Sequence, residues 1–250
     1  MSTAARAHEL LAPLGGRQRH WLAGELDDVV EEPAEVRAQP LVVRLEKSAP
    51  PARTAALEAA ATAALAVFFD PRAAEGGEWA DELAAWVGGR IRKVARRARG
   101  NYWLVASELP GVTVRVGDAE VRAFPPYRVI AAPKEISRLQ VSGTDLSDPV
   151  APGPPPPGVP VLWLTPHVEM TAGKAMAQVG HATMLLAAFL DLPVLERWAA
   201  GGLRVAVRTA TPQQWAGLAA APGAVAVRDA GFTEVEPGTV TVVADGSPLR

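Results

Sequence analysis

The chain has 250 residues, of which 49% are hydrophobic, and it carries a formal net charge of −2. A chain of this length and composition can bury a sizeable core, which excludes disorder along its whole length. Because the charge is nearly balanced, any nucleic-acid partner must be bound by a local basic patch. The absence of cysteine excludes disulfides, thiolate metal sites and a cysteine nucleophile.

The apolar segments are short throughout the chain. None approaches the roughly 18 uninterrupted apolar residues of a membrane-spanning helix. The first residues contain no apolar block of the signal-peptide type. We therefore expect a soluble, cytoplasmic protein without a membrane partner.

Residues 1–38 form the first segment, in which charges of both signs occur with little hydrophobic periodicity. The acidic residues concentrate at Glu25, Asp27, Asp28, Glu31 and Glu32. This pattern predicts a loosely held N-terminal arm.

Residues 39–147 form the predicted N-terminal domain. Its strongest charge cluster is a basic run made of Arg90, Arg92, Lys93, Arg96, Arg97 and Arg99. One interpretation is the solvated face of a long helix over 79–99. The other is a set of contacts with nucleic-acid phosphates, for which the candidates are Arg92, Lys93, Arg96 and Arg97.

A proline-rich stretch at 148–158 divides the chain. It contains four consecutive prolines, Pro154 to Pro157, which exclude a regular helix and favour a stiff, extended linker. The remaining residues, 159–250, form the predicted C-terminal domain.

Strands and helices alternate in the C-terminal domain. The predicted strands cover 161–165, 203–209, 225–229 and 239–244, and the predicted helices cover about 172–190 and 211–220. This alternation implies right-handed βαβ connections and a mostly parallel sheet with helices on both faces. The predicted fold class is therefore α/β.

The N-terminal domain repeats part of this pattern. Residues 103–132 align without gaps on 215–244, and 66–70 (AVFFD) resemble 187–191 (AAFLD). These matches predict a degenerate copy of the C-terminal fold. Because alanine-rich chains also align by chance, an unrelated α+β domain remains the alternative.

The predicted helix after Thr171 has one polar and one apolar face. Helical spacing places Lys174, Gln178 and His181 on one side. The opposite side carries Met176, Val179, Thr183, Leu186 and Leu190. A lysine in the first helical turn opposes the helix dipole, so its position favours an anionic neighbour or ligand.

A carboxylate follows the predicted strand 225–229. Ligands of open α/β sheets bind beyond the carboxyl ends of the strands, and the strand that ends at Thr165 leads into the Lys174 helix. We therefore expect Lys174 and Asp229 to meet, with a surface ion pair as the alternative. Gly231 allows a tight turn that returns the Thr233 hydroxyl to the carboxylate.

Two motifs around these residues carry a family resemblance. GKAMAQVGHA (173–182) and RDAGFTEVEPGTVTV (228–242), in this order, resemble the archaeal and eukaryotic type of peptidyl-tRNA hydrolase. The resemblance covers 159–250. It implies a small α/β fold with a mixed four-stranded sheet, usually homodimeric, that hydrolyses the ester between peptide and tRNA in translation. It implies no metal and no cofactor.

The resemblance also assigns residues. Lys174, Gln178, Asp229 and Thr233 occupy the positions of the family's functional residues, and His181 that of its helix histidine. Ester hydrolysis needs an oriented water and fixed donors at the oxyanion. We expect Asp229 to orient or deprotonate the water, with Lys174 and Thr233 at the oxyanion, although Lys174 and Asp229 can exchange roles. Gln178 would position the substrate and His181 would structure the site.

The sequence departs from the family pattern around this site. Thr165 and His167 stand where the family usually has Arg and Asp, Glu169 replaces a common lysine, and Val179-Gly180 replace Cys-Ser. A non-catalytic tRNA-binding or regulatory protein that retains the fold is therefore the alternative function.

The alignments of the two halves predict what a degenerate copy would have lost. They place Arg53 at Lys174, Leu57 at Gln178, Ala60 at His181 and Gly117 at Asp229. Such a chain would act as a monomer with an internal pseudo-dimer, and a homodimer is the alternative.

Overall fold

The computed structural model describes residues 2–22, 32–221, 225–229, 231 and 234–249. Within these ranges the chain forms two β-sheets, each packed against α-helices. No helix in the described ranges is both long enough and apolar enough to span a membrane.

The N-terminal half begins with a helix and continues with a small mixed sheet. Its elements are α1 (Thr3–Leu22), β1 (Arg37–Arg44), α2 (Arg53–Ala66), α3 (Ala80–Gly88), β2 (Lys93–Ala98), α4 (Gly100–Glu108), β3 (Val112–Val116), β4 (Ala119–Ala123), β5 (Tyr127–Arg128) and α5 (Lys134–Ser137). The sheet has the strand order β2-β1-β4-β3, and β5 also pairs with β1. β1 and β2 are parallel, whereas β4 is antiparallel to β1 and to β3.

The C-terminal half contains the second sheet. Its elements are β6 (Val161–Leu164), α6 (Ala172–Phe189), α7 (Leu192–Ala200), β7 (Ala206–Thr209), α8 (Pro212–Ala220), β8 (Val225–Arg228) and β9 (Val240–Asp245). The strand order is β7-β6-β9-β8; β6 and β7 are parallel, and β9 is antiparallel to both of its neighbours. Three strands therefore run in the same direction, so the mixed, mostly parallel four-stranded sheet expected from the sequence is confirmed.

The two sheets share one connectivity. β1, β2, β3 and β4 have the same order and relative directions as β6, β7, β8 and β9. In each half two α-helices lie between the first and second of these strands, and one α-helix lies between the second and third. This layout is compatible with a duplicated fold.

The ladder register corrects the gapless alignment of the two halves. Arg122 lies opposite Val42 and Thr113, just as Val243 lies opposite Trp163 and Ala226. Counting along β3 and β8 then places Val116, and not Gly117, at the position of Asp229. The gapless alignment pairs Thr113 with Val225 and is therefore out of register by one residue along β3. It fails further in β4, because a tight turn joins β3 to β4, whereas a longer segment joins β8 to β9.

The long helix considered for 79–99 is absent from the described structure. α3 ends at Gly88, with Gly89 as its C-cap, and the basic run continues as strand β2. Glycine has a low helix propensity, so the Gly88-Gly89 pair is a physical reason for this break.

One hydrophobic core extends through both halves. α2 and α6 pack against each other at its centre, and the inner faces of both sheets contribute to it. α2 presents buried alanines there, among them Ala56, Ala60 and Ala64, and small side chains allow two helices to approach closely. Separate apolar clusters lie beneath α4 and α8 on the outer faces of the two sheets.

The segment expected as a loose arm contains a packed helix. Ala7, Leu11 and Leu14 of α1 are buried, and α1 packs on α3, α6 and α7. Gln18 donates a hydrogen bond from Nε2 to the carbonyl of Ala226 at 2.7 Å. The expectation is therefore wrong for this part, because the apolar residues recur at helical spacing and form a buried stripe. Residues 23–31, with most of the acidic cluster, lie outside the described residues.

Candidate active site

The N-terminus of α6 is held by both halves of the chain. Thr171 is its N-cap and accepts a hydrogen bond at Oγ1 from the backbone N–H of Lys174 at 3.2 Å. Glu234 accepts hydrogen bonds from the backbone and the hydroxyl of Thr171 at 2.9 and 2.7 Å. From the N-terminal half, Thr144 Oγ1 accepts from the backbone N–H of Gly173 at 2.9 Å. These contacts fix the helical turn that carries Lys174.

Lys174 and Asp229 meet in a direct ion pair. Lys174 Nζ lies 2.5 Å from Asp229 Oδ2, and the two side chains are only 10% and 8% exposed. Asp229 directly follows β8, and α6 crosses β9 and β8 after leaving the same edge of the sheet. The expected meeting is therefore present, and its burial distinguishes it from an exposed surface pair.

Gln178 is the second donor to the same carboxylate oxygen. Its Nε2 donates to Asp229 Oδ2 at 2.8 Å, while its Oε1 accepts from the hydroxyl of Thr241 at 2.6 Å. Thr241 lies on β9 and is fully buried. The hydroxyl thus fixes which way the amide points.

Thr241 is a site residue that the sequence analysis missed. Within TVTVVA it has the character of an ordinary β-strand threonine. Its spacing gave no signal, because a period of two places Thr241 on the same face as Val243. The register shift between Val227 and Arg228 makes Thr241 an extra residue in β9, and it contacts Gln178 on α6.

A tight turn holds the other carboxylate oxygen. The backbone N–H of Gly231 donates to Asp229 Oδ1 at 2.8 Å, and Gly231 has a φ of +80°. A Cβ at this position would also collide with the ring of Pro237, so both conformation and space favour glycine. Thr233, the third predicted catalytic residue, lies outside the described residues.

The comparison with protein families decides which family this half resembles. Residues 160–247 match the family model of peptidyl-tRNA hydrolase PTH2. The resemblance predicted for the C-terminal domain is thereby confirmed. The PTH2 match covers roughly a third of the chain and leaves the N-terminal half outside it. Comparisons with curated proteins and with solved structures give no significant match.

His181 extends the polar face of α6 within the PTH2 segment. It is partly buried, and its Nδ1 lies 3.3 Å from Nζ of Lys93 on β2. Burial lowers the pKa of His181 well below its ordinary value, and protonation of Lys93 or Lys174 lowers it further. The imidazole is therefore neutral at physiological pH.

The four residues predicted to contact phosphates lie in different environments. Lys93 is buried, so the prediction that it contacts a phosphate is wrong. Arg92 is partly buried. Arg96 donates to the carbonyls of Ser137 and Leu139 at 2.9 and 2.6 Å. Arg97 donates to the carbonyl of Ser142 at 2.9 Å and to the side chain of Gln140. Arg96 and Arg97 thus hold the segment around 137–142 against β2.

The residues that depart from the PTH2 pattern include buried and exposed ones. Thr165 is buried, and its backbone N–H donates to the carbonyl of Thr241 at 3.0 Å. Its Oγ1 accepts from the backbone N–H of His167 at 3.3 Å. The side chains of His167 and Glu169 are exposed. These two departures therefore affect the rim, whereas the buried pair keeps its full set of contacts.

The arrangement supplies a cation and an oriented carboxylate. Three donors from the described residues reach the carboxylate of Asp229, two at Oδ2 and one at Oδ1. A carboxylate offers about four acceptor positions, so Oδ1 can accept one further donor such as a water molecule. Among the described residues no group of three or more His, Asp or Glu side chains is placed to hold a metal ion.

Proposed function

We propose that this protein hydrolyses the ester bond between the peptide and the tRNA of peptidyl-tRNA. The observation that carries the proposal is the buried Lys174–Asp229 pair, which lies inside the segment that matches PTH2. The family match supports the substrate class. The pair supports the chemistry, because ester hydrolysis needs both a means of orienting water and a positive charge near the developing oxyanion.

In the proposed mechanism Asp229 orients the attacking water through Oδ1. Lys174 and Gln178 both donate to Oδ2, so the carboxylate cannot rotate and its second oxygen keeps a fixed direction. Lys174 places its charge beside the tetrahedral oxyanion, and Thr233 adds a donor there. Such a donor contributes about 3 kcal/mol to the stability of the transition state. Gln178, which is buried, holds Asp229 in place, and His181 structures the site further along α6.

The test is release of peptide from purified peptidyl-tRNA by the full-length chain. Lys174→Met and Asp229→Asn are each expected to lower kcat by about 10²- to 10³-fold, because each removes a group that acts in the transition state. Lys134→Met serves as the matched control, since Lys134 is an exposed lysine on α5. Absence of turnover by the wild type would overturn the proposal, and tRNA binding without turnover would identify a non-catalytic binding protein.

We also propose that the N-terminal half is a degenerate copy and that the chain works as a monomer with an internal pseudo-dimer. The shared strand order supports this, as does the close packing of α2 on α6. The equivalents of Lys174, Gln178 and Asp229 are Arg53, Leu57 and Val116, so this half lacks a carboxylate at the corresponding place. Sedimentation is expected to give a mass of 26.2 kDa, and twice that mass would contradict the proposal.

A further inference from the structure

A lysine from the N-terminal half is buried against the helix that carries the site. Lys93 Nζ lies 2.9 Å from Met184 Sδ and 3.3 Å from His181 Nδ1, both on α6, and 4.8 Å from the centre of the Trp86 ring. Among the described residues no carboxylate pairs with it. A buried lysine without an acidic partner is costly to stability, so its presence calls for a functional reason.

Gly180 provides the space that this lysine occupies. A Cβ at position 180 would lie 3.0 Å from both Cδ and Cε of Lys93 and 3.2 Å from Cβ of Ala64. A Cβ there would require the lysine stem to shift by a few tenths of an ångström. Gly180 is one of the positions where the sequence departs from the family motif. This departure on α6 leaves room for Lys93, which the N-terminal half supplies.

The contact between Lys93 and His181 bears on which nitrogen of the ring carries the proton. A protonated amine can only donate, whereas a neutral amine can donate or accept, so Nδ1 as the acceptor fits both states of the lysine and an Nδ1–H donor fits only the neutral one. With Nδ1 as the acceptor, the proton of the neutral ring resides on Nε2. The titratable groups that act on the ring are the amines of Lys93 on β2 and Lys174 on α6. The described neighbours from α2 and α3 carry no charge: Ala64 lies beside Gly180, and the Trp86 ring lies beside the Lys93 amine.

We propose that Lys93 is a positioning residue that fixes His181 as the neutral Nε2–H tautomer, so that the N-terminal half completes the site on α6. The effect on turnover rests on the proposed function, whereas the tautomer itself does not. Lys93 acts through His181 and touches no substrate.

The tautomer can be measured directly by ¹⁵N NMR of the full chain labelled at histidine. The chain has four histidines, so His181→Gln assigns the signal. In the wild type Nδ1 is expected at the shift of an unprotonated nitrogen and Nε2 at that of a protonated one. Lys93→Met is expected to remove this preference and to move the two shifts toward each other, whereas Lys134→Met leaves them unchanged.

Gly180→Ala provides a second variant that keeps the lysine but displaces it. It is expected to move the two shifts in the same direction as Lys93→Met and by a smaller amount. An Nδ1–H tautomer in the wild type would overturn the proposal. Unchanged shifts in both variants would overturn it as well.

Kinetics extend the test to the reaction. Lys93→Met is expected to lower kcat for peptidyl-tRNA by about tenfold with little change in KM. A KM effect alone would indicate a merely structural role and contradict the proposal. If the wild type has no activity, the proposed function fails while the NMR result still decides the tautomer.

Discussion

At the scale of single residues, the carboxylate of Asp229 is held from three directions. Lys174 and Gln178 reach one oxygen from α6, and the backbone of Gly231 reaches the other. A carboxylate fixed in this way needs little reorganisation when a reacting group arrives, which is the physical basis of electrostatic preorganisation. The hydroxyl of Thr241 extends the same network behind Gln178.

Replacement of Thr241 tests whether this network matters. Thr241→Val removes the donor to Gln178 Oε1 and leaves a buried amide oxygen without it, which is expected to cost about 1–3 kcal/mol of stability. The freed amide can turn away from Asp229, so we expect kcat to fall about tenfold. Thr241→Ser keeps the hydroxyl and is the control. Equal activity and stability of the two variants would show that the amide is held by other contacts.

Lys93 gives the free energy of unfolding a specific pH dependence. Burial lowers its pKa well below the ordinary value. Below pH of about 10.4 the unfolded chain therefore binds a proton that the native chain does not, and stability falls as the pH falls. Lys93→Met lacks this effect.

The stability of Lys93→Met relative to wild type is thus expected to increase as the pH is lowered from about 10 to about 8, by up to about 1.4 kcal/mol per pH unit. Urea denaturation at several pH values measures this difference. A constant difference across the range would mean that Lys93 stays protonated in the native state.

The residues of the site differ in how far the sequence could predict them. The Lys174–Asp229 contact was predictable because both residues follow strands that end at one edge of the sheet. Thr241 was missed because its partner is a side chain on another element. The burial of Lys93 was unpredictable for the same reason: it depends on how α6 crosses β2, which involves residues far apart in the sequence.

At the scale of elements, α1 is part of the packed structure around α6. Its buried stripe contacts α6 and α7, and Gln18 reaches the backbone of β8. A helix that supports both the helix of the site and an adjacent strand can affect the site without touching it.

A core substitution in α1 tests this support. Leu11 is fully buried, so Leu11→Ala is expected to lower the free energy of unfolding by about 2–5 kcal/mol through lost burial and the cavity left behind. Ala12→Ser, on the exposed side of the same turn, is the control and should change stability by less than about 0.5 kcal/mol. Urea denaturation measures both. A near-neutral Leu11→Ala would show that α1 detaches easily.

Most elements of the C-terminal half were predictable from the sequence, whereas α7 and α1 were not. β6, α6, β7, α8, β8 and β9 follow the alternation of apolar runs and capping residues in the sequence. α7 was missed because it begins at Leu192-Pro193 only two residues after α6 ends, so one helical signal runs into the next. α1 was missed because the charges of 25–32 dominate the character of the first segment.

At the scale of the whole molecule, the two halves share one core. α2 and α6 form its centre and pack directly against each other. Neither half can unfold without exposing the inner helix of the other. The division into 39–147 and 159–250 therefore remains a proposal about the origin of the chain, since the packing joins both ranges.

Thermal unfolding is expected to be a single cooperative transition for the full chain. Calorimetric and van't Hoff enthalpies should agree, because the shared core couples the halves. Ala64→Leu, which overfills the contact between α2 and α6, should lower the Tm of that one transition at a cost of about 1–3 kcal/mol. Ala85→Leu, at an exposed position on α3, is the control. Two resolved transitions would show that the halves unfold separately.

Encoding both sides of the α2–α6 contact in one polypeptide removes a restriction that identical subunits impose. A mutation in a symmetric homodimer appears twice, so a bulky residue introduced on one side must be tolerated at its mirror position too. Here Gly180 on α6 has no counterpart across the contact, because α2 contains no glycine. Each side can consequently acquire mutations on its own, and one of them can specialise while the other retains only its shape.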